Sequence, residues 1–163
     1  MKPVFQFPVK EFRRGSIFFL ALILCVSCRT VPPLPPVDFS APGWRVLPGQ
    51  AVWLPAKNRP EFTGDLLLAT NANGNFFLTF TKTPFTLVTA QACGGDWQIV
   101  FGGNEYFWHG HGRLPARFGW IELPRALAGE KLESGWEFSR RAGAGWQLEN
   151  PATGESLEGE FFP

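Results

Sequence analysis

The chain is short of the residues that most often carry chemistry or cross-links: 163 residues include two histidines, three cysteines, one methionine and one tyrosine. There is no Ser-His-Asp order, phosphate-cradling glycine loop or paired-carboxylate motif, so the sequence reads as non-enzymatic and implies no cofactor. Long apolar runs are also missing. The run Ile17 to Val26 covers about ten residues, whereas a helix needs roughly 20 to cross the hydrocarbon core. Beyond the N-terminus there is no basic cluster. Lys2, Lys10, Arg13 and Arg14 face a single acid, Glu11, so a formal charge of +1 leaves the remainder slightly acidic. That removes the electrostatic footprint of a nucleic-acid partner.

What is present at the N-terminus is a basic segment, a short apolar run and a small residue before a cysteine, the order of a removable export signal. Cys25-Val26-Ser27-Cys28 resembles a bacterial lipobox, with Ser27 in the small position and Cys25 where Leu, Val or Ile is usual. The resemblance implies diacylglycerol on Cys28 and membrane attachment through that lipid, with ordinary secretion and cleavage nearby as the alternative. The expected organisation is a signal over residues 1–27, a lipidated Cys28 with a proline-rich tether over 28–42, and a single β domain over 43–163. Pro32, Pro33, Pro35, Pro36 and Pro42 favour extended chain, about 3.1 Å per residue, in that tether. Cys93 is then the one remaining thiol, no intrachain disulfide forms, and its neighbours Ala92 and Gly94 suggest a small buried residue.

From Gly43 the punctuation is that of β-structure. Asn73-Gly74 separates two apolar runs and predicts a two-residue type I′ hairpin. Gly94-Gly95 and Gly102-Gly103-Asn104 separate further runs rich in Phe, Val, Ile and Trp, which predicts an antiparallel meander. In "LPRALAG", Pro124 and Gly129 mark the start and end of a short helix, and three strands broken by "AGAG" and "NPATGE" complete the chain. The expected fold is mainly β, a curved antiparallel sheet or incomplete barrel with one or two short helices. Alternation places Phe76, Leu78, Phe80, Leu87, Trp97, Ile99, Phe101, Tyr106 and Trp108 on one apolar face, opposite Asn75, Thr79, Asp96 and Gln98. That face is the candidate ligand site, either a concave cavity for a guest or a core filled by its own side chains.

The stretch from "EFTGDLLLATNANGNFFLTF" through "DWQIVFGGNEYFWHGHG" to "WIELPRALAG" resembles the bacterial lipoprotein-localisation carriers of the LolA and LolB type. The resemblance covers roughly residues 44–162. It implies an incomplete barrel that takes acyl chains or lipoproteins in its concave face, on the periplasmic side of the outer membrane. Carriers of this kind have a long N-terminal helix across the barrel mouth. In this chain Pro42, Pro48, Pro55 and Pro60 interrupt the corresponding region, and no such helix is expected. The alternative reading is a lipid-anchored structural or interaction module with no ligand. His109 and His111 share a strand face and a metal-like spacing, but two imidazoles are too few for a zinc site, and solvent-facing histidines are the plainer expectation.

The lipobox reading predicts that a clickable palmitate analogue labels the protein in growing bacteria, and that Cys28→Ser removes both the label and the protein from the membrane fraction. A variant that keeps both places the anchor elsewhere.

Overall fold

The computed structural model describes residues 33–103, 106–133 and 135–163; the expected signal, Cys25 and Cys28 lie outside them. Turn chemistry sets the local geometry. Asn71 ends the strand Phe62–Asn71, and its Oδ1 accepts from the amides of Asn73 and Asn75 at 3.0 and 3.2 Å. The Gly74 amide donates to the Asn71 carbonyl at 3.2 Å, and the Asn71 amide to the Asn75 carbonyl at 3.1 Å. Only Gly74 adopts the left-handed region, at φ +77°. The hairpin is therefore a three-residue loop, a type I turn closed by a left-handed glycine. It differs from the expected type I′ turn because the Asn71 side chain fastens the loop in place of a second left-handed residue. Type I′ geometry occurs instead at Gly94-Gly95, with φ +62° and +89° between the paired residues Cys93 and Asp96.

The strands are β1 (Trp44–Leu54), β2 (Phe62–Asn71), β3 (Phe76–Lys82), β4 (Phe85–Cys93), β5 (Asp96–Phe101), β6 (Tyr106–His111), β7 (Glu137–Arg140), β8 (Gly145–Asn150) and β9 (Glu155–Phe161), with one helix, α1 (Gly119–Leu127), after β6. They form one antiparallel sheet in the order β6-β5-β4-β3-β2-β1-β9-β8-β7, which is not closed. The fold is mainly β, as the turn pattern predicts, with a single helix among the described residues.

The sheet curls. Trp53 on β1 and Phe101 on β5 stack at 5.8 Å between ring centroids, although four strand spacings separate them, about 19 Å in a flat sheet. Likewise α1 touches both β4 and β8, five spacings apart, which a helix about 10 Å wide manages only over a strongly curved surface.

Two prolines show where position overrides propensity. Pro48 lies inside β1, a strand flanked by β2 and β9, but pairing with β9 starts only at Gly49. At Pro48 the Phe162 amide still donates to the carbonyl at 2.8 Å, so the missing N–H faces the β9 side at the last rung of that ladder and leaves the pairing with β2 intact. Pro124 does not begin the helix as its sequence position suggests. The helix starts five residues earlier, at Gly119, and Pro124 lies inside it. Burial of Trp120, Ile121, Leu123 and Ala126, worth about 1.5–3 kcal/mol for each large side chain, outweighs the roughly 3 kcal/mol that an interior proline costs. Gly129 stands past the helix end at φ +76°, as expected.

The proline-rich segment meets the sheet before β1 begins. The Leu34 amide donates to Gln98 Oε1 at 2.8 Å, and Gln91 Nε2 donates to the Pro35 carbonyl at 3.0 Å. Gln98 Nε2 in turn donates to Gln91 Oε1 at 3.3 Å. Gln91 and Gln98 are thereby buried on the outer face of β4 and β5, and Phe39 packs edge-on against Trp44 and Phe77. Cys93 is exposed, contrary to the buried position expected for it. It alternates with the inward residues Val88, Ala90 and Ala92, so the pleat turns it outward.

Gly74 has open space around its Cα, so backbone strain alone decides substitution there. Gly74→Val should lower stability by about 1 kcal/mol or more, read as a lower urea midpoint with unchanged slope, while Asn73→Ala should change it by a few tenths.

Candidate functional site

The inner face is built by alternate residues of every long strand. Phe76, Leu78 and Phe80 on β3 oppose Ala92, Ala90 and Val88 on β4, which oppose Trp97, Ile99 and Phe101 on β5. Leu66 and Leu68 continue the surface through β2, Ala51 and Trp53 through β1, and Trp146, Leu148 and Leu157 through β8 and β9. Of the residues expected on this face, Phe76, Leu78, Phe80 and Ile99 are fully enclosed, and Trp97, Phe101 and Trp108 are partly so. Leu87 occupies the irregularity between the Phe80–Val88 and Thr81–Thr86 pairs, so it packs on the core out of step with its strand's alternation. Tyr106 has the inward parity but is 60% exposed, because it lies on the open edge beyond the helix's cover.

The helix fills the concavity. The Trp120 ring lies over the Phe80 ring at 4.8 Å and meets Trp53 edge-on at 5.7 Å. Ile121 and Leu123 are fully buried with it. Alternation along strands could not reveal these three residues, nor the inward alanines of β4. The helical spacing of Trp120, Leu123 and Leu127 is the signal that finds the first group.

Large rings cover glycines throughout. Trp97 lies on Gly110, Trp136 on Gly119, Trp146 on Gly159 and Phe80 against Gly64, each so close that a β-carbon on the glycine would collide with ring or backbone. The indole N–H groups of Trp97, Trp120 and Trp146 are buried without an acceptor among the described residues. Each is a single polar atom on a ring burying 150–250 Å², so the apolar gain dominates.

Two carboxylates lie beneath this apolar layer. Glu122 is fully buried on α1 and receives Arg125 Nη1 at 3.0 and 3.3 Å, with Arg125 Nε held by Glu130 at 3.1 Å. Glu155, at the start of β9, accepts from Trp53 Nε1 at 3.3 Å and from the Gly119 amide at the helix start. Burial pushes its carboxyl up to about 7, the two donors only partly opposing it.

Two cavities stand out among the described residues. One of about 340 Å³ opens between the end of α1 and the β2–β3 hairpin, lined by Leu47, Leu68, Phe76, Leu114 and Leu127 with Arg45 at its rim. The other, about 360 Å³ and more open, is a cleft of mixed lining that includes Gln50, Val52, Arg141, Trp146 and Glu158. His111 Nδ1 lies 2.8 Å from Asp96 Oδ1, and His109 stands opposite Gln98 with its ring 5.2 Å from Phe107. Among the described residues no three His, Cys, Asp or Glu side chains are grouped to hold a metal, and no helix is long and apolar enough to cross a membrane.

No protein-family model matches the chain, and no curated protein matches it significantly. The inner face is a packed aromatic core with a small cavity at one end.

The raised Glu155 carboxyl makes stability depend on pH. An acid whose folded pKa, about 7, exceeds its ordinary 4.5 binds more protons in the native state, so its contribution is fully present below about pH 4.5 and is lost as pH rises through about 7. Urea midpoints for the protein should fall between about pH 5 and about pH 8, and Glu155→Gln should flatten that decline.

Proposed function

We propose that this chain is a lipid-anchored bacterial envelope protein, held through Cys28 on the periplasmic side of the outer membrane, whose curled sheet serves as a non-catalytic interaction module. The anchor rests on the N-terminal signal pattern and on Ser27 before Cys28. The module reading is carried by one observation: α1 lays Trp120, Ile121 and Leu123 into the concavity and leaves Phe76, Leu78, Phe80 and Ile99 no more than 2% exposed. A surface that close-packed has no room for an acyl chain alongside the helix.

A second reading, an acyl-binding envelope protein of the lipoprotein-carrier kind, draws support from the end cavity. Its volume of about 340 Å³ falls at the small end of the range for small-molecule sites. Leu47, Leu68, Phe76 and Leu127 offer an apolar wall, and Arg45 offers a cation at the rim.

One substitution separates the two. With a filled core, Ile99→Glu buries an unpaired charge and should cost more than about 4 kcal/mol, enough to abolish the native far-UV circular dichroism. A folded Ile99→Glu protein that loses a bound fluorescent fatty acid held by the parent favours the carrier reading and rejects the filled core.

A further inference from the structure

The two edges of the open sheet are not alike. β7 has four residues, Glu137–Arg140, and carries a charge at each end. β6 has six, Tyr-Phe-Trp-His-Gly-His, with none of the lysine, carboxylate or proline that ordinarily blunts an edge. Among the described residues its backbone ladder is met on the β5 side only. Tyr106 and Phe107 are 60% and 39% exposed, two of the six large apolar side chains that are open to solvent among the described residues.

We propose that β6 pairs antiparallel with β6 of a second copy of this chain across a two-fold axis, joining two sheets into one. In an antiparallel pair, opposed residues point to the same face, so the axis must pass through a residue and not between two. Placed at Trp108, it sets Tyr106 of each copy opposite Gly110 of the other, Trp108 opposite Trp108, and Phe107 opposite His109. Aromatic side chains then meet aromatic rings or a glycine, and no charged residue of the strand opposes another. Tyr106 and Trp108 already stack within one molecule at 6.1 Å, and Phe107 and His109 lie at 5.2 Å, so each pair enters the interface as a preformed platform. Arg117 lies over Trp108, 5.5 Å from the ring centroid, and stays on the inner side of that platform. An axis at His109 instead opposes the two His109 rings and is the poorer register.

Self-pairing also fits better than β6 joining β7. That head-to-tail arrangement sets Glu137 and Arg140 against an uncharged strand, and it extends without closing, whereas a two-fold contact closes on itself. The proposal extends the interaction-module reading by naming its partner, and comparing the parent with Phe107→Lys, which keeps the same anchor, separates strand pairing from association through the lipid.

Sedimentation velocity on the full chain in neutral detergent, from about 1 to about 100 μM, should show a concentration-dependent shift from monomer to dimer. Phe107→Lys should leave a monomer at every concentration with unchanged circular dichroism. A parent protein that stays monomeric, one that grows beyond a dimer, or a folded Phe107→Lys protein that still dimerises overturns the proposal. Should Phe107→Lys not fold, a Cys93→Ser protein carrying Phe107→Cys with His109→Cys decides: disulfide-linked dimers on non-reducing gels support the register, and monomer alone refutes it.

Discussion

Curling a nine-stranded sheet tightly enough for Trp53 and Phe101 to touch demands places where backbone approaches backbone, and those places are the glycines. Gly49, Gly64 and Gly159 stand on the inner face of β1, β2 and β9, where a side chain would strike the carbonyl oxygen of a neighbouring strand. Glycine in a strand ordinarily weakens it by leaving nothing to pack. Here the loss is offset from the adjacent strand or helix: Phe80 against Gly64, Trp146 on Gly159, Trp97 on Gly110 and Trp136 on Gly119. The many tryptophans and phenylalanines and the many glycines are thus one feature. The bend requires the small residue, and the small residue requires the large ring.

The helix follows from the same geometry. A sheet bent this far but not closed encloses an apolar trough, and the segment that leads from β6 to β7 must pass from one edge of the sheet to the other. Crossing the trough lets Trp120, Ile121 and Leu123 complete the core, and this burial tolerates Pro124 in the helix and three indole N–H groups without acceptors. Glu155 is drawn into the same arrangement. Its carboxylate meets the first amide of the helix and the Trp53 indole, so at the junction of β9 with α1 the energetics of the core change with protonation.

Much of the sheet was legible because turns and alternation are local signals. Gly94-Gly95, Gly102-Gly103, "AGAG" and "NPATGE" each fall between strands, and the parities of β3 and β5 are those expected. Leu87 packs on the core as expected, but one irregular pair reverses the alternation beside it, so Val88, Ala90 and Ala92 lie inward and Cys93 outward. The hairpin at Asn73-Gly74 was found, but its type was decided by Asn71, outside the two-residue motif. The docking of Leu34 and Pro35 onto Gln98 and Gln91 has no local signature, because its partners lie more than fifty residues apart. The least legible matter was whether the apolar face is core or cavity: that depends on where α1 lies, a tertiary fact that strand alternation does not encode.

The placement of β1 between β2 and β9 orders the fold in time. A chain that emerges from a ribosome or crosses a membrane N-terminus first presents β1 before the other strands of the sheet, and β2 can pair with it almost at once. The other side of its ladder, from Gly49 to Leu54, waits for Phe161 to Ser156, which follow it by about a hundred residues. Through that interval the nascent sheet carries an unfilled edge in its middle, the kind of surface that recruits stray strands and chaperones. Pro48, with no amide hydrogen to offer, shortens that edge from its N-terminal side while the sheet waits for its final strand.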